Sequence, residues 1–569
     1  MPIEPWEVKA QTVRDYRDAT LAKVDPPLGP LPNPLPMSSL DLPKQLLTAR
    51  EYELTQNYDA IALLRMLRTK EATSEELTRA FLRRAAIAQH AVCAPSFNMS
   101  KFGLQVIVDL LIEYLAEQVN CVTELMWDEA IERAKYLDSL PQPIGPLHGL
   151  PISVKEHHGM KGKKCNASIV SWIDYPSTDG LLNDAFYNAG CVFYVRTTGP
   201  QLLMHLECTS NIYGRTVNAH NRNLTSGGSS GGEGALVGMR GSVLGVGGDI
   251  GGSIRCPASN NGVYGFKPTC TRISGTGKKI VMDGCEAILG TYGPLCTSRA
   301  AINLFMEVAL AGEPWRLDPS VTPIPWSPVT LTKQLKIAVE WDDGVVKPHP
   351  PVLRALREVA DACRKAGMEV VDWVPLDHSR AWDIISALYF TDGGEDALES
   401  LKASGEPILP LSKFIIHEQP TVKPHTLAEL WKLCIRRDDY RATYAKHWSA
   451  TATSPTGEVD LILCPATPGC APPHETSRYW GYTAQWNLLD YPGVVFPVTT
   501  VDPAADLRDE NYQPRNEKDL YNHDLYTGPE RYERAPVSLQ LVGRRFCDEK
   551  VIAGLEAIEK VMGREEEEH

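Results

Sequence analysis

The chain has no run of eighteen uncharged apolar residues, which leaves no segment that reads as a membrane-spanning helix. Its greasiest window, Gly103–Val119, is broken by Asp109, Glu113 and Glu117. The N-terminus is charged and lacks the apolar core of a secretory leader, so a cytoplasmic protein is the expectation. Cys-x-x-Cys is also missing: the fourteen cysteines stand singly, which argues against a zinc knuckle. Basic residues are in the minority, with 57 Lys and Arg against 71 Asp and Glu, so nucleic acid is not the expected partner. Neither a Ser/Gly-rich linker nor an internal repeat divides the 569 residues.

What remains is an ordinary globular composition with 43% hydrophobic residues. Six short apolar runs end at Gly, Pro or polar turns: 150–155, 191–197, 335–341, 461–467, 493–499 and 537–543. Helical patterns lie among and before them. Residues 72–88 open with Thr73 and Glu76 spaced as a capping box. Residues 350–367 place Val352, Leu356, Val359 and Cys363 on one stripe. Continuous apolar strands alternating with helices predict an α/β fold, a large mixed β-sheet covered by helices on both faces, with an N-terminal helical extension. The expected divisions are an N-terminal helix and Pro-rich arm over 1–45, a catalytic domain over 46–562, and an acidic tail over 563–569.

One stretch stands apart. Thr225–Pro268 packs glycines and six serines among alanine, leucine and valine, unlike a uniform polar linker. Tight turns and close backbone packing account for the glycines but not for the serines within them. A dinucleotide cradle fails because Ile250 stands where the third glycine belongs, and a P-loop at Gly275–Lys279 fails at Arg272 and Lys279. Gly227–Gly231 satisfies G-x-S-x-G, which would make Ser229 an esterase nucleophile served by His425, His474 or His523, but polar loop precedes it where a strand is needed. The remaining reading takes Gly247–Ser253 as a turn whose backbone N–H groups converge on one point, as an oxyanion hole requires. No histidine sits nearby as base. Lys155, ending the apolar run 150–155, can serve if burial lowers its pKa.

The order of these elements resembles the amidase signature family of serine amidohydrolases. The matching segments are Gly227–Gly232, Gly247–Pro257 and Gly262–Pro268, with Gly145–Gly162 similar to the family's lysine segment. Trp486–Thr499 is similar to the fungal acetamidase branch, itself related to fatty-acid amide hydrolase. The resemblance covers roughly residues 40–562. It implies the amidase-signature fold and a Ser–cis-Ser–Lys triad without cofactor. Ser253 would be the nucleophile, Ser229 on a cis peptide bond the proton relay, and Lys155 the neutral base. The amides of Ile250, Gly251, Gly252 and Ser253 would stabilise the oxyanion, and Ser229 would also face the substrate. Ser230, Asp249 and Arg255 would support the loops. The expected partner is a small-molecule amide, with a homodimer as an option.

Three departures accompany the resemblance. Gly248 replaces the usual threonine or serine, and Glu156 with His157 and His158 follows the lysine; either histidine could line the pocket, with a structural role the preferred reading. Val92–Gln118 interrupts the family pattern. That segment is read as a retained intron or gene-model error, or else as an added amphipathic element that covers the pocket or makes a peripheral membrane contact. The alternatives to an amide hydrolase are an ammonia-delivering subunit of an amidotransferase and the Ser229 esterase.

Overall fold

The computed structural model describes residues 4–32, 35–90, 119–453 and 457–564. The Val92–Gln118 segment and the acidic run Glu565–Glu568 lie outside the described residues. In chain order the strands are β1 (Val122–Leu125), β2 (Pro151–Lys155), β3 (Val192–Thr197), the short pair β4 (Thr209–Ser210) and β5 (Gly214–Arg215), β6 (Leu244–Asp249), β7 (Tyr264–Lys267), β8 (Thr291–Cys296), β9 (Lys336–Val339), β10 (Glu369–Asp372), β11 (Leu461–Pro465), β12 (Gly493–Thr500) and β13 (Pro536–Val542). Eleven of them form one sheet in the order β1-β3-β2-β6-β8-β7-β12-β13-β11-β9-β10. The sheet is mixed: β2 runs parallel to β3 and β6, whereas β6 and β8 are antiparallel.

Both faces are buried, and alternation along the strands shows it. In β9, Ile337 and Val339 join one apolar cluster while Ala338 joins another. In β11, Leu461 and Leu463 divide from Ile462 and Cys464 in the same way. Successive side chains of a strand point to opposite faces, so this split requires helices on both sides. Among the described residues no helix is long and apolar enough to cross a membrane.

The six apolar runs become β2, β3, β9, β11, β12 and β13. The glycine-rich stretch was not read as sheet, yet β6 and β7 lie inside it and β8 follows. Glycine conceals them because it carries no apolar side chain to make a pattern. Its purpose here is close approach: a Cβ at Gly245 would overlap the Glu233 carboxylate, which is fully buried and accepts from the Ser153 hydroxyl at 2.6 Å and the Thr197 hydroxyl at 2.7 Å.

The helix Ser74–His90 starts where expected, but its box is only half made. Thr73 Oγ1 accepts from the Glu76 amide at 3.1 Å, while the Glu76 carboxylate turns to Arg50. Asp138 caps two further amides of the first turn, taking that of Ser74 at 2.7 Å and that of Glu75 at 2.9 Å. The N-terminal helix Trp6–Leu21 lies against the edge strand β1, where Thr20 Oγ1 accepts from the Leu125 amide at 3.0 Å. Covering an edge in this way removes a template for unwanted pairing.

The topology places the site. β2 and β6 are parallel neighbours, with Ser153 opposite Gly245 and Val154 opposite Val246, so their C-terminal ends, Lys155 and Asp249, come side by side. The helices Gly231–Gly238 and Arg255–Asn261 pack on each other, and a small apolar cluster of Val237, Ile254, Ala258, Leu295 and Val495 ties them to the sheet. Leu295→Ala should therefore destabilise the protein by about 2–5 kcal/mol, read by urea unfolding. A change below about 1 kcal/mol would mean that this cluster contributes little to holding the two helices.

Candidate active site

Lys155 is the last residue of β2 and is only 1% exposed. Its Nζ donates to Ser229 Oγ at 2.6 Å. Removing the ammonium from water disfavours its charged form, and burial lowers the pKa to about 7. A primary amine in that range can accept a proton near neutrality. Ser229 follows a cis Gly228–Ser229 peptide bond and precedes the helix Gly231–Gly238.

Ser253 occupies a tight turn between β6, which ends at Asp249, and the helix Arg255–Asn261, whereas the strand before Ser229 ends at Arg215. The two serine loops are stitched together: the Ser230 amide donates to the Ser253 carbonyl at 3.0 Å, and Ser230 Oγ lies 3.3 Å from both the amide and the carbonyl oxygen of Gly248. Lys155, Ser229 and Ser253 line one pocket of about 90 Å³, whose other walls include Leu202, Met204, Ile250 and Val281.

Asp249 shapes the turn. Its carboxylate accepts from the amides of Gly252 at 2.9 Å and Ile254 at 3.1 Å, from Arg255 Nη2 at 3.0 Å and from Asn487 Nδ2 at 2.9 Å. Burial alone would raise its pKa, but the Arg255 guanidinium outweighs burial and holds the carboxyl well below its usual range. Arg255 in turn donates to Asn487 Oδ1 at 2.6 Å, and neither member of the pair has exposed side-chain surface. The turn's carbonyls are drawn away by two further side chains: Tyr389 donates its hydroxyl to the Ile250 carbonyl at 2.8 Å, and Thr483 donates to that of Gly251 at 2.6 Å.

Of the four amides expected to face an oxyanion, that of Gly252 donates to Asp249 at 2.9 Å. Gly252 matters for shape too: its φ of +127° disfavours any L side chain, and a Cβ there would collide with Thr483. Tyr389, Thr483 and Asn487 escaped the sequence reading. Asn487 lies within Trp486–Thr499, which the resemblance had marked, whereas nothing near Tyr389 or Thr483 in the chain signals contact with the turn.

The two histidines after Lys155 part ways. His157 lines the pocket, while His158 packs edge-on to Tyr292 at 4.6 Å. Glu156 accepts from the amides of Asn166 at 2.6 Å and Ala167 at 3.0 Å, a structural task. The histidines that an esterase centred on Ser229 would need are elsewhere. His474 Nε2 lies 3.0 Å from the Arg222 carbonyl, His523 packs on Tyr512 at 5.5 Å, and neither these nor His425 lines the pocket.

A family model described as Amidase matches residues 111–552. The chain is 37% identical over 576 aligned residues to an acetamidase of Emericella nidulans, covering 98% of this chain and 99% of the relative. It is 36% identical to an acetamidase of Aspergillus oryzae, covering 99% and 100%. Among solved structures it superposes on fatty acid amide hydrolase with a TM-score of 0.87 and 32% identity, over 98% of this chain and 95% of the other.

Because Asp249 and Arg255 are buried together, Asp249→Asn leaves an uncompensated cation and should destabilise the fold by roughly 3–5 kcal/mol. Denaturant unfolding of the variant checks this, and an unchanged midpoint would mean that the turn holds without the pair.

Proposed function

The chain belongs to the amidase family, and on that premise we propose that it hydrolyses small aliphatic or aryl carboxamides to a carboxylate and ammonia or an amine through an acyl-enzyme on Ser253. The observation that carries this reading is the 2.6 Å contact from Lys155 Nζ to Ser229 Oγ in a pocket that Ser253 also lines. The volume of about 90 Å³ and the similarity to acetamidases support small substrates.

The steps follow from protonation states. Neutral Lys155 takes a proton from Ser229 as Ser229 takes one from Ser253, and Ser253 Oγ attacks the amide carbonyl. Negative charge collects on the carbonyl oxygen, where the amides of Ile250, Gly251 and Ser253 stabilise it. The C–N bond breaks as Ser229 delivers a proton to the departing nitrogen and recovers one from Lys155. Water, deprotonated through the same relay, attacks the ester carbonyl and releases Ser253 with the carboxylate. The esterase and amidotransferase alternatives have no observation of their own to support them.

A fluorophosphonate should form one adduct, mapped by peptide mass spectrometry to Ser253, and Lys155→Ala should slow its formation by at least about a hundredfold. Labelling on Ser229, or no labelling of demonstrably folded protein, overturns the assignment. The sign of the pH dependence is also set. A lysine with a pKa of about 7 is an effective base only above that value. Acylation should fall about tenfold for each pH unit below it and level off above. A rate of labelling that stays flat through that range would remove Lys155 as the base.

A further inference from the structure

One corner of the pocket has no task in the mechanism above. Gly248, in β6, pairs with Tyr292 of β8. A Cβ placed at Gly248 would lie 3.3 Å from Tyr292 Cε1 and 3.5 Å from His157 Nε2. A hydroxyl-bearing residue at 248 would therefore reach the imidazole, and glycine leaves that nitrogen open.

His157 is 4% exposed and is held in place by neighbouring rings, His158 at 4.4 Å and Tyr292 at 6.3 Å between centroids. Its Nδ1 is buried without a partner, while Nε2 lies on the Gly248 side. Burial, with His158, Lys155, Lys278 and Arg196 nearby, keeps the ring neutral. A neutral imidazole has one N–H and one lone pair. A sealed lone pair is tolerated better than a sealed N–H, which places the proton on Nε2, the nitrogen on the Gly248 side. Leu202, Met204, Ile250 and Val281 give the pocket apolar wall, and Lys278, Thr291 and Tyr292 add polar atoms, so His157 is one of a few side-chain donors outside the catalytic set that a substrate meets there.

We infer that His157 is a specificity-determining residue whose Nε2–H binds an oxygen acceptor in the acyl chain of the substrate, and that Gly248 keeps the space for it. The preferred amides carry an ether, hydroxyl or keto oxygen close to the scissile carbonyl. The inference rests on the Ser253 reading above. Such a site rejects a substrate lacking the oxygen because the imidazole N–H is then left unpaired in a buried place.

Methoxyacetamide and butyramide test it, since they differ by one oxygen in place of a methylene. The quantity read is the ratio of their kcat/KM values in the full-length protein, compared between variants so that intrinsic reactivity cancels. In His157→Leu and in Gly248→Ser, whose own hydroxyl would occupy the imidazole, the preference for methoxyacetamide should fall by about three- to tenfold relative to the wild type. Gly248→Ala, whose methyl would stand 3.5 Å from Nε2 in the space kept for the substrate oxygen, should lower the preference as well. If His157→Leu fails to fold, Gly248→Ser against the wild type carries the comparison. A ratio unchanged by His157→Leu, or by Gly248→Ser where His157→Leu cannot be read, overturns the inference while Ser253 labelling and turnover of both amides leave the amidase reading standing. If Ser253 is not labelled and neither amide is turned over, the parent reading fails and this inference falls with it.

Discussion

A carboxylate and a guanidinium with no exposed side-chain surface, Asp249 and Arg255, hold the turn on which the site depends. Each would be costly to bury alone, and their attraction is favourable here because almost every donor and acceptor around them is used. Asp249 gathers the backbone of Gly252 and Ile254, Arg255 reaches Asn487, and Asn487 returns to Asp249. A closed loop of charge-assisted bonds leaves the turn little freedom. The residues between the pair, Ile250 to Ile254, follow from that constraint.

The turn is also held from outside. Tyr389 ends the helix His378–Tyr389 and Thr483 sits in the helix Gly481–Leu489, and each takes a carbonyl of the turn. By holding the Ile250 carbonyl, Tyr389 turns the Gly251 amide to the other side. By holding the Gly251 carbonyl, Thr483 fixes the peptide whose Gly252 amide Asp249 takes. Donors arranged before any substrate arrives need no reorganisation when charge develops, which is where most of an oxyanion site's effect arises. The glycines serve this arrangement by removing side chains where loops, helices and strands come within contact distance.

Dryness is the second consequence. Burial pulls Lys155 to about 7 and keeps His157 neutral, so a strong cation becomes a base and an imidazole becomes a fixed hydrogen-bond donor. Both effects come from the same apolar surroundings at the ends of β2 and β6.

The sequence by itself determined the α/β class, because apolar runs 150–155, 191–197, 335–341, 461–467, 493–499 and 537–543 carry their own periodicity. It also marked Lys155, Ser229, Ser253, Asp249 and Arg255, because the loops holding them are contiguous stretches with a long, ordered pattern of glycine and serine. What lay outside its reach were strands built of glycine, such as β6, in which no side chain records which face is buried. The tertiary structure alone decided that Asp138 caps a distant helix, that the Gly252 amide belongs to Asp249, that Tyr389 and Thr483 orient the turn, and that His157 faces the pocket. Those are hydrogen bonds and packing contacts between residues far apart along the chain, and local pattern carries no information about partners that only folding brings within 3 Å.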